Sequence, residues 1–141
     1  MRVKIQRIDK DIEIVKYAHD GDAAFDLRSS ENINLSAGGK VIVPTGIKMA
    51  IPEGFAGFIW DRSGLAANSS LHCLAGVIDS GYRGEIKIVL VNLSNNDMYI
   101  KKGMRIAQMI IQKVEHPILE EVESLGDTKR NEGGFGSTGL H

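Results

Sequence analysis

Three stretches of this chain place chemistry-bearing side chains close together. In Ala75-Gly76-Val77-Ile78-Asp79-Ser80-Gly81-Tyr82-Arg83-Gly84-Glu85-Ile86, an aspartate, a tyrosine and an arginine share one corner between two apolar runs. Asp79-Ser80-Gly81 is a turn signal, so the segment reads as a hairpin or a tight connection. Taken alone, Asp79 is first of all a turn residue; with Tyr82 and Arg83 beside it, the corner also suits a nucleotide, though not uniquely. In Trp60-Asp61-Arg62-Ser63-Gly64-Leu65-Ala66, the side chains of Arg62 and Ser63 and the N–H groups opening a short helix could hold phosphate oxygens. The bare Arg-Ser-Gly tripeptide is weak evidence and suits a solvated loop better. The third stretch is the tail, where Phe135 stands among glycines, hydroxyls and Arg130. A generic glycine-rich terminus frays, because it buries too little to offset its ordering entropy. A lone Phe in such a setting looks more like a flap that orders over a ligand.

These side chains need a scaffold, and alternation with period two is its main signal. Val3 and Ile5 alternate with Lys4 and Gln6. Ile47, Met49 and Ile51 alternate around Lys48 and Ala50, and Ile86, Ile88 and Leu90 share one face of another run. The run Ile106-Ala107-Gln108-Met109-Ile110-Ile111 is mostly apolar and suits burial on both faces. Turn residues punctuate the runs at Ala37-Gly38-Gly39, Pro52-Glu53-Gly54, Ser94-Asn95-Asn96-Asp97 and Lys102-Gly103, and the 16 glycines fit many short strands. The best helical candidate is short, Ser63-Gly64-Leu65-Ala66-Ala67-Asn68. The pattern predicts an all-β, jelly-roll-like barrel with one short helix. Composition changes after Leu125, dividing the chain into a β domain over residues 1–126 and a flexible, Gly-rich C-terminal arm over 127–141.

Composition narrows the function. At 141 residues the chain reads as one domain with room for a core. A formal net charge of −1 carries no signature for long nucleic acids, yet leaves room for a small anion held by a few local cations. The single cysteine, Cys73, cannot pair internally, which favours a reducing compartment, and no run is long and apolar enough to span a membrane. A soluble, cytoplasmic protein is expected. His19, His72, His116 and His141 are scattered, so no His/Cys cluster presents itself for a transition metal. Gly134-Phe135-Gly136-Ser137-Thr138-Gly139 satisfies G-x-G-x-x-G, but only two residues follow it, so no helix can complete a dinucleotide fingerprint.

Five motifs, in order and with matching spacing, resemble the trimeric deoxyuridine triphosphatase family. They are Asp22-Ala23-Ala24-Phe25-Asp26-Leu27-Arg28; Arg62-Ser63-Gly64-Leu65-Ala66; Gly76-Val77-Ile78-Asp79-Ser80-Gly81-Tyr82-Arg83-Gly84; Lys102-Gly103-Met104-Arg105-Ile106-Ala107-Gln108; and Arg130 through Gly139. The likeness covers essentially the whole chain. Asp61 stands where that family often has Pro or Ala, Met104 replaces a common acidic residue, and Asn131 replaces a common glycine.

The resemblance implies a dUTPase-like β-clip fold and hydrolysis of dUTP to dUMP and pyrophosphate, which limits uracil incorporation into DNA and supplies dUMP for thymidylate synthesis. It implies that Asp79 orients and deprotonates the attacking water. Full prior proton transfer from water to an ordinary carboxylate would cost about 16 kcal/mol, so the proton must move as the water attacks phosphorus. Mg²⁺ is the implied cofactor, held mainly by the triphosphate, with Asp26 acting through its waters or by supporting neighbouring phosphate-binding side chains. Arg62, Ser63, Gly64, Gln108 and Arg130 are implied on the phosphates. The backbone from Cys73 to Val77 and Ile78 would read uracil, Tyr82 would pack beneath the deoxyribose, and Lys87 would line the same pocket. Phe135 would stack on the base, and Gly136, Ser137 and Thr138 would close over the phosphates. The resemblance further implies a homotrimer with sites shared between subunits, and neither nucleic acid nor membrane as partner. Two rivals remain: a dCTP deaminase-like enzyme and a non-catalytic dUTP-binding regulator. A zinc deaminase would need a P-C-x-x-C ligand pair that one cysteine cannot supply.

Overall fold

The structure is a computed structural model that describes residues 1–134 and 137. Among the described residues ten strands and one helix follow one another: β1 (Lys4–Arg7), β2 (Phe25–Arg28), β3 (Ile33–Leu35), β4 (Lys40–Ala50), β5 (Phe55–Trp60), α1 (Ser63–Ser69), β6 (Leu71–Leu74), β7 (Val77–Ile78), β8 (Glu85–Asn92), β9 (Met98–Ile100) and β10 (Arg105–Lys113). One four-stranded sheet runs β1-β4-β8-β6, a second runs β2-β10-β5-β7, and β3 pairs with β9 in a two-stranded ribbon. Every pairing is antiparallel. This is the jelly-roll-like, all-β arrangement expected, with the sheets remaining separate instead of closing into a barrel. Among the described residues no helix is long and apolar enough to cross a membrane.

Alternation builds the core. Phe25 and Leu27, Val43, Ile47 and Met49, Ile86, Ile88 and Leu90, and Met109 all turn inward and are buried. They join in one cluster fed by both large sheets. A Leu, Ile or Phe side chain buried this way contributes about 1.5–3 kcal/mol.

Two irregularities adjust the frame. In β4, the five residues from Pro44 to Lys48 face only three of β8, from Lys87 to Glu85. Pro44 has no N–H for the ladder, and Gly46 lies at φ +70° with no room for a Cβ, which would stand 2.8 Å from the Asp9 Cβ. Because two residues are inserted, the odd-numbered positions stay inward on both sides of the bulge. In β10 the register shifts between Arg105 and Ala107, so Ile106 and Ala107 are both buried. Beyond that bulge β10 is not buried on both faces as its sequence suggests. Gln108 and Ile110 are half-buried because a groove lies over the outer face there.

Helix α1 spans Ser63–Ser69, one residue longer than its sequence pattern. Ser70 ends it in the left-handed region at φ 51°, its N–H reaching back to the Ala66 carbonyl at 3.1 Å. No residue of the helix is fully buried; Leu65 packs against the core, and the first turn is presented outward.

Candidate active site

On the outer face of the second sheet, Asp26, Gln108 and Trp60 stand opposite one another across β2, β10 and β5. The inward turn of Phe25 and Leu27 forces Asp26 outward, and that of Ala107 and Met109 does the same for Gln108. Arg62, just past the end of β5, donates from Nε to Asp26 Oδ1 at 2.7 Å. Arg105 donates from Nη1 to Asp26 Oδ2 at 3.2 Å. Together with Ser63 and Gly64 these residues line a groove of about 640 Å³. One carboxylate thus spaces two guanidiniums, and the exposed Ser63 hydroxyl and the Gln108 amide add neutral donors. Such a donor set suits a polyanionic chain of phosphates.

Asp61 ties this groove to its neighbour. Its main-chain carbonyl accepts from Gln108 Nε2 at 2.7 Å. Its Oδ1 accepts the Cys73 N–H at 2.6 Å, and its Oδ2 lies 2.7 Å from His72 Nδ1. Burial by itself would raise the Asp61 carboxyl, but the bonds from His72 and Cys73 outweigh it and hold the group below the usual carboxylate range. Burial, followed by the adjacent Asp61 carboxylate, pushes the Cys73 thiol up to about 12. The thiol is therefore an inert core group at neutral pH.

A second groove of about 360 Å³ lies on the far side of Trp60 and Asp61, lined by Phe58, Cys73, Gly76 and Val77 among others. Its wall is the connection from β6 to β7. That connection crosses from one sheet to the other, because β6 pairs with β8 and β7 with β5. Ala75 at φ 61° and Gly76 at φ 115° make the crossing, and the Gly76 carbonyl accepts from the Ile59 N–H at 2.9 Å. The Cys73 N–H is already committed to Asp61, so the groove offers polar backbone mainly from Ala75 to Val77.

The Asp79 corner likewise bridges the sheets, since β7 and β8 lie in different ones. Of the two readings its sequence left open, the tight connection is the one formed. Asp79 is exposed; its carbonyl accepts the Tyr82 N–H at 3.1 Å, which closes the turn. Tyr82 donates its hydroxyl to the Glu85 carbonyl at 2.9 Å and lies over Gly84, where a Cβ would run into the ring. Arg83 donates to the Ser80 and Tyr82 carbonyls at 2.6 and 2.8 Å, serving the turn itself.

Asp26, Arg62, Ser63, Gly64 and Gln108 thus meet in one groove, and Cys73 and Val77 in the next. Asp79, Ile78, Tyr82 and Lys87 line neither of the two; Lys87 is exposed on β8, opposite Pro44. Arg130 is exposed and donates from Nε to the Gly133 carbonyl at 2.7 Å. Asn131 sits at φ 41° and is bonded both ways with Thr128, which fits the ability of Asn to replace a glycine. Ser137 donates its N–H to the Gly134 carbonyl at 3.0 Å; Phe135, Gly136 and Thr138 lie outside the described residues.

Arg105, Trp60 and Asp61 were not singled out as site residues from sequence. Arg105 and Gln108 are three apart, which in a regular strand puts them on opposite faces. The β10 bulge turns both outward, and nothing in the one-dimensional pattern announces it.

The dUTPase family model matches residues 10–139. The deoxyuridine 5'-triphosphate nucleotidohydrolase of Dictyoglomus turgidum is 48% identical over 146 residues, covering 99% of each chain. That of Rhodococcus erythropolis is 45% identical, covering all of this chain and 88% of its own. Among solved structures, the dUTPase of Staphylococcus bacteriophage 80alpha with dUPNHPP superposes with a TM-score of 0.91 at 28% identity, covering 99% of both chains.

Proposed function

The chain belongs to the dUTPase family, and on that premise we propose that it hydrolyses dUTP to dUMP and pyrophosphate. The observation that carries the proposal is the groove in which Asp26, Arg62, Ser63, Gly64, Arg105 and Gln108 converge from three separate parts of the chain. Its cation and amide donors match a triphosphate, and they occupy the second, fourth and first of the family's motifs.

Asp79 activates the water in this scheme. It is exposed at a rigid corner, so it can approach a substrate held elsewhere. A carboxylate holds a proton far less tightly than hydroxide does, so the proton transfers only as the oxygen–phosphorus bond forms. Most of the rate enhancement then falls to Arg62, Ser63, Gln108 and Arg130, which position the triphosphate and stabilise charge developing on it. Uracil is read by the backbone from Ala75 to Ile78, beside Cys73. A cytosine there leaves buried donors or acceptors unpaired, at about 1–3 kcal/mol each. Tyr82, pinned by its bond to Glu85, packs under the deoxyribose and excludes a 2′-hydroxyl. Lys87 completes the pocket. The arm over 127–141 closes the site as a separate segment, with Phe135 stacked on the base and Gly136, Ser137 and Thr138 over the phosphates.

Among the described residues no group of three or more His, Cys, Asp or Glu is placed to hold a metal ion. Both oxygens of Asp26 already carry arginines. The residues present therefore fit Mg²⁺ as a hydrated ion on the triphosphate, with Asp26 in its outer shell. Bound there, Mg²⁺ neutralises phosphate charge.

The Asp79 and Tyr82 corner lies away from the phosphate groove of the same chain, which supports a homotrimer whose sites combine residues of different subunits. A cytoplasmic location completes the reading. Pyrophosphate release from dUTP with Mg²⁺, beside UTP, dCTP and dTTP, tests it. Fast release from dUTP alone, lost in Asp79→Asn, is expected. Tight binding without release would favour a dUTP-binding regulator, and activity surviving in Asp79→Asn would overturn the role of Asp79.

A further inference from the structure

Between the two grooves stands a residue that the function proposed above leaves unused. Asp61 lines both, and it ties two strands, β10 and β6, to the end of β5. Its carbonyl fixes the Gln108 amide of β10, its Oδ1 fixes the Cys73 N–H of β6, and its Oδ2 meets His72 Nδ1. It also immediately precedes Arg62 and Ser63, so the direction in which the chain leaves β5 sets where those two side chains point. The carboxylate is half-buried, with 28% of its side chain exposed, and charge-assisted bonds in such a setting are about twice as strong as neutral ones.

We propose that Asp61 is a positioning residue, a clamp that holds Arg62, Ser63 and Gln108 on the phosphate side in register with the Cys73–Val77 backbone on the base side. The inference rests on the nucleotide-hydrolase reading for its substrate but on geometry alone for the clamp. His72 is the second half of the device: it spans from β6 to the end of β5 and restrains the carboxylate from the solvent side. Losing the clamp lowers the fraction of chains in which the grooves are formed before substrate binds, and bound substrate restores them, so KM rises more than kcat falls.

The test uses the full-length chain with Asp61→Ala, Asp61→Asn and His72→Ala. Asparagine keeps a side-chain acceptor for the Cys73 N–H; alanine keeps none and retains only the main-chain bond to Gln108. Asp61→Ala should raise KM for dUTP about tenfold, a size typical of small misplacements of binding groups, with kcat changed by less than about threefold. Asp61→Asn should recover most of the loss, and His72→Ala should fall between. Alkylation of the Cys73 thiol supplies a readout independent of activity. It should quicken in Asp61→Ala, since the carboxylate next to the thiol opposes its ionisation. A KM within twofold of wild type in Asp61→Ala would overturn the proposal, even if the melting temperature fell, because a merely structural role predicts that pattern. Unchanged thiol labelling would overturn it as well. A wild-type chain that releases no pyrophosphate from dUTP would sink the hydrolase reading instead, and thiol labelling would still decide the clamp.

Discussion

Replacing Gly76 by alanine separates two costs that the structure lets us size in advance. Gly76 sits at φ +115°, outside the regions an L-residue adopts without strain. A Cβ added there would stand 3.0 Å from both the Cβ and the carbonyl oxygen of Ile59. The backbone term costs about 1–3 kcal/mol and the overpacking term a similar amount, since Ile59 is core and its carbonyl cannot retreat. Partial relaxation shared between them leaves roughly 3 kcal/mol of destabilisation. With a urea m-value of about 1–3 kcal/mol/M for a chain of this size, the unfolding midpoint should fall by roughly 1–3 M. Gly81 is the control within the same motif: it has no positive φ and nothing within 4 Å of an added Cβ. Gly81→Ala should move the midpoint by no more than about 0.3 M. Equilibrium unfolding followed by Trp60 fluorescence measures both, at one protein concentration so that any assembly contributes equally. Well below the transition, folded Gly76→Ala should also bind a non-hydrolysable dUTP analogue more weakly, because the β6–β7 crossing must shift to accommodate the methyl. Equal midpoints for Gly76→Ala and Gly81→Ala would refute the reasoning, showing that the crossing is slack rather than pinned against Ile59.

The Cys73 thiol, pushed up to about 12 by burial and then by Asp61, should alkylate at pH 8 at least about 100-fold more slowly than in the urea-unfolded chain, and equal rates would contradict the packing. Its folded pKa is raised, so its contribution to stability is complete below the unfolded value near 9 and is lost as pH climbs toward 12; urea midpoints should decline over that alkaline window and recover in Cys73→Ser. Asp26→Asn should lower stability by no more than about 1.5 kcal/mol, because the Arg62 and Arg105 pairs are partly exposed, yet it should raise the Mg²⁺ concentration for half-maximal pyrophosphate release; an unchanged Mg²⁺ titration would remove Asp26 from the ion's outer shell. Trypsin cleavage at Lys129 and Arg130 should slow when a non-hydrolysable dUTP analogue is bound, and identical rates with and without it would sink the closing-arm reading.

Strand after strand was legible because one-sided burial forces alternation, and alternation survives in a single sequence. Ile47, Met49 and Ile51, and Ile86, Ile88 and Leu90, turn inward as their spacing says. The short helix is bounded by Arg62 and Ser70 almost where its residues suggest. The motif order carried the family, and with it Asp26, Arg62, Ser63, Gly64 and Gln108, which the fold does bring to one groove. Partnership between elements distant in sequence was not legible. The second sheet gathers β2, β10, β5 and β7, so Arg105 and Arg62 share Asp26 across 79 and 36 residues of separation. The bulge in β10 decides that Arg105 faces the groove, and the crossing at Ala75–Gly76 decides that the backbone from Cys73 to Val77 belongs to neither a hairpin nor a single sheet. Asp61 reads in sequence as a departure from a pattern; in space it is bonded to β6 and β10 at once. Local propensity and period are properties of neighbours along the chain, whereas register, bulges and shared carboxylates arise when the packed core selects one pairing among many, and only the tertiary structure records that choice.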